Sequence, residues 1–289
     1  MSNYKIIDEE TVMSIIPPRR KNSRKGENGV VLVVGGSWMY HGAPFLTAMA
    51  AYRSGVDLTY LAVPEPLVDP IRAMSPAIII IPLPDYRLTK RSVNKLLKKL
   101  PQINAAAIGP GLSIAKEEAL TELVKQLLSL GAGVVLDASA LIPSVLKVIQ
   151  GEKVILTPHA GEFKRLFGQQ PPQDLDGKIS LATEKAKEYN VTILLKGPTD
   201  IITDGNEIYI NKTGNAGMTV GGTGDVLTGI TAGLLTRIQS PIKCAAAAAY
   251  INGKCGDTAY QHLGLHMLPT DIIDQIPKIM KPMDKLIEE

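Results

Sequence analysis

Cysteine is nearly absent from this chain: Cys244 and Cys255 are the only two in 289 residues. They are not spaced as C-x-x-C and neither has a His close in sequence, so a disulfide framework is excluded and both read as reduced, structural thiols. Aromatic residues are scarce, 4% of the chain with three Phe and one Trp, which leaves no stacking platform for single-stranded nucleic acid. Neither sign of charge dominates. Lys+Arg number 31 against Asp+Glu 28, a net +3, and the basic residues are dispersed apart from Arg19, Arg20, Lys21, Arg24 and Lys25; no nucleic-acid partner is expected. No apolar run approaches bilayer length, and the opening Met1 to Pro18 carries Asp8, Glu9 and Glu10 where a signal peptide needs an apolar stretch. The expectation is therefore a cytoplasmic chain with no membrane partner. Two phosphate-binding signatures are missing as well, G-x-x-x-x-G-K-[ST] and G-x-G-x-x-G, so neither a P-loop nor a dinucleotide fingerprint is present.

What is there is apolar: 45% hydrophobic residues, enough to bury one large core. Short continuous apolar runs alternate with longer helical patterns, as strands covered on both faces do. The strands are predicted at Val30 to Val34, Leu58 to Val63, Ala77 to Ile81, Ala105 to Ile108, Val134 to Asp137, Val154 to Leu156 and Thr192 to Lys196, with helices at Pro44 to Arg53, Thr89 to Lys99, Ile114 to Leu130 and Lys178 to Tyr189. That order predicts an α/β fold, a three-layer α/β/α sandwich on a mostly parallel sheet with right-handed crossovers. Thr199 to Thr203 and Glu207 to Asn211 flank Asp204-Gly205-Asn206, which predicts an antiparallel hairpin at the sheet edge. Helices are expected at Asp225 to Thr236 and Pro241 to His262, and a mobile loop at Gln169 to Gly177. No repeat, linker or break in composition divides the chain, so a single domain over 1–289 is expected, with 1–28 as an N-terminal extension.

The most informative segment is Asn215 to Gly229, where Gly221-Gly222-Thr223-Gly224 runs directly into an apolar helix. Glycines allow backbone N–H groups to converge, and the helix N-terminus adds partial positive charge, so an anion is the natural occupant. Asp225 beside it reads as an acid/base group, or as a simple N-cap. Four other strand-to-loop junctions carry glycine or polar groups: Gly35-Gly36-Ser37, Gly109-Pro110-Gly111, Asp137-Ala-Ser139 and Thr157-Pro158-His159-Ala-Gly161-Glu162. In a parallel sheet these carboxyl ends share one crevice. His159 is a candidate proton-exchanging group, whereas Glu162 serves either a magnesium ion or its water, or a helix cap. Lys196-Gly197 ends a strand, which puts an ammonium within reach of nucleotide phosphate or ribose. His262 and His266 stand at i, i+4 but lack a third ligand, so no protein metal ligands are assigned.

Taken together, Lys25-Gly26-x-x-Gly29, Gly35-Gly36-Ser37, Gly42-Ala43-Pro44, Gly109-Pro110-Gly111, Thr157-Pro158-His159, Glu162, Lys196-Gly197 and Gly222-Thr223-Gly224-Asp225 resemble the ADP/ATP-dependent NAD(P)H-hydrate dehydratases. The resemblance runs from about Arg19 to the C-terminus. It implies a ribokinase-like fold and a metabolite-repair activity, the nucleotide-dependent dehydration of hydrated NADH or NADPH through a phosphorylated intermediate, with ADP (or ATP) as co-substrate and Mg²⁺ as cofactor. It further implies that Lys196, Gly197, Pro198, Thr199, Asp200, Asn215, Gly222, Thr223 and Gly224 bind the nucleotide. Ala43, Gly111, His159, Glu162 and Asp225 would bind the hydrate, with Asp225 the catalytic base. The chain departs from the family at Arg24 and at Asn252-Gly253, where His is common at Arg24 and His-Gly at the pair. Residues 1–28 are too few for the epimerase domain that many relatives carry, so no epimerase activity is expected. A homo-oligomer, a tetramer by preference, is expected from base rates. The competing readings are a small-metabolite kinase of the same fold, acting on a vitamin precursor, and a non-catalytic nucleotide sensor.

Overall fold

Runs such as Val30–Val34 and Ala105–Ile108 are buried at every position, because both faces of the sheet they enter are covered. The computed structural model describes residues 4–288. In chain order the elements are β1 (Lys5–Ile6), α1 (Glu9–Ile15), β2 (Arg19–Arg20), β3 (Val30–Val34), α2 (Gly42–Arg53), β4 (Leu58–Pro64), α3 (Val68–Met74), β5 (Ile79–Leu83), α4 (Lys90–Lys99), β6 (Ala105–Ile108), α5 (Glu117–Ser129) and β7 (Gly133–Leu136). They continue with α6 (Leu146–Ile149), β8 (Val154–Leu156), α7 (Ala160–Phe167), α8 (Leu175–Tyr189), β9 (Thr192–Leu195), β10 (Asp200–Thr203), β11 (Ile208–Asn211), α9 (Thr223–Leu235), α10 (Pro241–Leu263), α11 (Pro269–Met280) and β12 (Leu286–Ile287).

The main sheet has ten strands in the order β1-β11-β10-β9-β8-β7-β6-β3-β4-β5. Among the described residues only the β9–β10 and β10–β11 pairings are antiparallel, which is the expected hairpin at one side of a parallel sheet. The turn between β10 and β11 is held by Asp204 Oδ1, which accepts from the N–H groups of Asn206 and Glu207 at 2.9 Å each. Successive strand residues face opposite layers. Val31, Val33, Ala105 and Ala107 pack with α2, α9, α10 and α11, whereas Val30, Leu32, Val34, Ala106 and Ile108 pack with α4, α5, α7 and α8. No helix among the described residues is long and apolar enough to cross a membrane.

Two features of the fold position the site. The chain runs outward from β3 to β4 and β5, then returns to lay β6 on the other side of β3. The carboxyl ends of β3 and β6 therefore diverge in a switch-point crevice, the place where open parallel sheets take ligands. The second feature is the close approach of α2 to α9. A Cβ on Gly229 would stand 2.2 Å from the Thr47 carbonyl oxygen, and one on Gly233 would stand 1.9 Å from Ser54 Oγ; only hydrogen fits at either place.

Candidate active site

The first turn of α9 has the geometry of an anion-binding pole. Its N-cap is Gly222, at φ 106, a left-handed backbone conformation open to glycine, and a Cβ there would meet Pro269 at 2.6 Å and Leu46 at 2.9 Å. Because Gly222 supplies the turn, the helix begins at Thr223, two residues before the Asp225 start that the sequence suggested. Asp225 is thus inside the first turn and is no N-cap. Among the described residues no backbone group accepts from the N–H of Thr223, Gly224 or Asp225, as expected of a helix N-terminus awaiting an acceptor. The Thr223 hydroxyl is engaged elsewhere, donating to the Met218 carbonyl at 2.8 Å.

Next to this turn, the ends of β7, β8 and β9 bring three charged side chains together. Asp137, 2% exposed, follows β7. Its Oδ1 accepts from Lys196 Nζ at 2.8 Å and from Thr157 Oγ1 at 2.9 Å, and its Oδ2 accepts from Thr228 Oγ1 at 2.8 Å. A buried carboxylate persists only with such saturation. Lys196 Nζ also lies 3.6 Å from Glu162 Oε2. Burial opposes the charge on Lys196, but the attraction of Asp137 and then Glu162 outweighs it and holds the ammonium above its ordinary range. Lys196 is therefore the counter-ion of a buried acid cluster, beside Gly224, where a Cβ would be 3.5 Å from Nζ.

Asp225 completes the cluster and differs from it. Burial, then the negative charge of Asp137, push its carboxyl up to about 7, with Lys196 opposing and Glu162 adding to the rise. Hydrogen bonding contributes nothing to that shift. A carboxyl that is half ionised near neutrality and unengaged by its neighbours is what proton abstraction requires.

His159 and Glu162 form a capping box on α7. Glu162 Oε2 accepts from the His159 N–H at 2.8 Å, while His159 Nδ1 accepts from the N–H of Gly161 at 3.0 Å and of Glu162 at 3.3 Å. With Nδ1 accepting, Nε2 is the ring nitrogen left to donate; it lies 3.5 Å from Glu162 Oε1, and His159 forms part of the lining of the adjoining cavity.

That cavity, of about 560 Å³, falls in the range of small-molecule sites. Of the residues the resemblance assigns to nucleotide, Lys196, Gly197, Pro198, Asp200, Asn215, Thr223 and Gly224 line it, and Thr199 and Gly222 are not part of its wall. Asp200 and Asn215 shape the loops. Asp200 accepts from the Gly197 N–H and from Asn211 Nδ2, each at 3.0 Å, and burial lifts its carboxyl to about 6. Asn215 Oδ1 accepts from the Gly217 N–H at 3.0 Å, and its Nδ2 donates to Asp257 Oδ1 at 2.9 Å.

Ala43 and Gly111 meet outside this cavity, at the switch point. The Gly36 N–H donates to the Pro110 carbonyl at 2.9 Å, joining the loops after β3 and β6. A Cβ on Gly111 would stand 2.6 Å from the Tyr40 carbonyl oxygen and 3.2 Å from the Ala43 Cβ. Thr47 Oγ1, one turn into α2, bridges the carbonyls of Ala43 at 3.0 Å and Asp225 at 3.1 Å. Asp225 is thereby tied to the cavity through Lys196 and Gly224, and to the switch point through Thr47.

In the sequence Asp137 and Thr157 stand out only as members of strand-end motifs and Asn252 only as a departure from the family's common His-Gly, whereas Thr228 and Thr47 carry no mark of their own. Thr228 had a usable signal, since at i+3 from Asp225 it shares a helix face. Asp137 had none, because its partners come from three separate segments.

Comparison with known proteins matches residues 31–278 to the family described as NAD(P)H-hydrate dehydratase. The chain is 50% identical to the ADP-dependent (S)-NAD(P)H-hydrate dehydratase of Cenarchaeum symbiosum, over 98% of this chain and 99% of that one. Among solved structures it is similar to the ADP/ATP-dependent NAD(P)H-hydrate dehydratase of Bacillus subtilis, co-crystallised with ATP and Mg²⁺, with a TM-score of 0.83 and 29% identity over 98% of this chain and 100% of that one. A ribokinase-like superfamily protein of Enterococcus faecalis is similar at a TM-score of 0.78 and 26% identity, over 98% and 97% of the two chains.

Proposed function

From the premise that the chain belongs to the NAD(P)H-hydrate dehydratase family, we propose that it restores hydrated NADH or NADPH at the expense of ADP, with Asp225 as the base. The observation that carries this reading is the Asp225 carboxyl, lifted to about 7 and set in the same helical turn as the unpaired N–H groups of Thr223 and Gly224.

The hydroxyl of the hydrate is a poor leaving group until it is phosphorylated. Asp225 removes its proton as the oxygen attacks the terminal phosphorus of ADP, the bond to the bridging oxygen breaks, and AMP departs. The first-turn N–H groups of α9 hold the charge that develops on the phosphoryl oxygens. The ring nitrogen then expels phosphate, and loss of a proton from the neighbouring ring carbon restores the double bond. The nucleotide occupies the cavity between Lys196 and α10. The hydrate occupies the switch-point side, against Ala43 and Gly111, with His159 donating from Nε2. Lys196 offsets part of the negative charge of Asp137 and Glu162, both of which raise Asp225, so that this carboxyl is still able to ionise near neutrality.

Both oxygens of Asp137 are engaged, and Glu162 Oε2 is committed to the His159 N–H. The residues therefore suit a Mg²⁺ ion held chiefly by phosphate oxygens and water, with Glu162 Oε1 as its protein contact. Such an ion, when bound, would neutralise phosphate charge.

The test supplies purified protein with Mg²⁺, hydrated NADH and either ADP or ATP. The near-ultraviolet absorbance of reduced nicotinamide should return with an equal amount of free phosphate, and faster with ADP. Nucleotide consumption with no reduced nicotinamide, or only with a vitamin-like alcohol, would overturn the dehydratase reading in favour of a kinase.

A further inference from the structure

The cavity has an anion pole, but its α10 wall is uncharged: Ala249, Asn252 and Gly253. Asn252 is 7% exposed, and its Oδ1 is fully buried with no hydrogen-bond partner among the described residues. Nearby polar groups are paired. Asn211 Nδ2 donates to the Ala249 carbonyl at 3.2 Å, and Thr213 Oγ1 donates to the Tyr250 carbonyl at 3.2 Å. These bonds stitch α10 to the loop after β11 and leave Asn252 out. An unpaired amide in such a place is a net loss to the folded protein unless something else completes it.

We propose that Asn252 reads the base of the bound nucleotide and selects adenine; the proposal rests on the reading of this cavity as the nucleotide site. Charge divides the lining. Lys196 and the α9 N-terminus suit phosphate, while the uncharged α10 wall, with Leu227, Met218 and Pro198 also in the lining, suits a flat ring with one polar edge. A carboxamide matches one edge of adenine, accepting from the exocyclic amine and donating to N7 of the five-membered ring. Rotation about the terminal side-chain bond turns Oδ1 toward the ligand. On that edge a purine with oxygen in place of the amine presents only acceptors, its oxygen and N7, so the amide oxygen stays unpaired whichever way the carboxamide turns.

The test is calorimetry with ADP, inosine 5′-diphosphate and inorganic pyrophosphate, on the wild type and Asn252→Leu. The wild type should bind ADP on the order of tenfold to a hundredfold more tightly than the inosine nucleotide. Asn252→Leu should erase that preference and leave pyrophosphate affinity unchanged. The free variant should melt no lower than the wild type, because an unpaired buried amide has been replaced by an apolar group of similar volume. Equal loss for both nucleotides with pyrophosphate retained would assign Asn252 to the ribose and overturn base selection. Loss for all three ligands would make its role structural. A wild-type ratio near one overturns the proposal without any variant, and a wild type that binds none of the three overturns the nucleotide reading of the cavity itself.

Discussion

Asp225 should reduce the stability of the fold, and Asp225→Asn should return it. The carboxyl stands at about 7 in the folded protein against an ordinary value of 3.8. Between those two values the folded protein holds a proton that the unfolded chain has released, so stability falls as pH rises through this window, and the whole loss is present above it. A gap of roughly 3 pH units at about 1.4 kcal/mol per unit gives a loss of about 4 kcal/mol. A carboxylate in the first turn of a helix recovers up to about 1 kcal/mol of this from the helix dipole. Asn carries no charge, so the variant should gain on the order of 3 kcal/mol at pH 8 and almost nothing at pH 4. At about 2 °C per kcal/mol for a large domain, that is a rise in Tm of roughly 6 °C at pH 8. Turnover should fall by about 10²-fold or more. Thermal melts of both proteins from pH 4 to 8, alongside turnover at pH 8, decide the matter. A variant no more stable than the wild type at pH 8, or a gain independent of pH, would show that the ionised carboxylate is well accommodated and that its environment does not make it a base.

Two further outcomes follow from the same geometry. Turnover of the wild type should rise with pH through about 7 as Asp225 ionises, and Glu162→Gln should move that limb to lower pH, since Gln still accepts from the His159 N–H while a negative neighbour is lost; a limb that stays in place or moves upward contradicts the assignment. Gly229→Ala should cost roughly 1–3 kcal/mol in thermal stability and lower turnover as well, because its methyl group would press on the Thr47 carbonyl and separate α2 from α9; a variant that melts and turns over like the wild type would mean that the close packing plays no part in the site.

Strands β3, β6, β7, β8 and β9 were legible because burial at every position leaves an uninterrupted apolar run, and the β10–β11 hairpin because Asp204-Gly205 names its turn; edge strand β5, with Ile79 exposed, lies two residues later than the expected Ala77 to Ile81. Elements with no such signal were missed. β1, β2 and β12 span two residues each. α3 and α11 contain Pro70 and Pro277, residues that argue against a helix when read in sequence. The loop expected at 169–177 ends at Asp174, whose Oδ1 accepts from the Gly177 N–H at 2.7 Å and caps α8 early. At the site, the glycines before Asp225 pointed to an anion. The role of Lys196 was not legible, because the sequence shows an ammonium at a strand end and says nothing of Asp137, 59 residues away, across two strands.

The placement of Asp225 follows from one turn of one helix. Gly222 starts α9 early enough for the Asp225 side chain to leave the N-cap, so its carboxylate is not drawn into bonding the helix's own N–H groups. In the proposed function, those N–H groups stay available for phosphate, while the carboxyl stands beside them for the attacking hydroxyl. A capping aspartate would engage donor and base with each other and leave neither for substrate. The neighbours then set its charge. The negative charge of Asp137 raises Asp225, and both Asp137 oxygens are in turn held by Lys196, Thr157 and Thr228. Lys196 is thus needed twice, to stabilise Asp137 and to keep the rise at Asp225 from carrying it beyond neutrality, where a base would be permanently protonated. The same ion pair that joins the carboxyl ends of β7 and β9 therefore sets the pH at which this carboxyl can accept a proton.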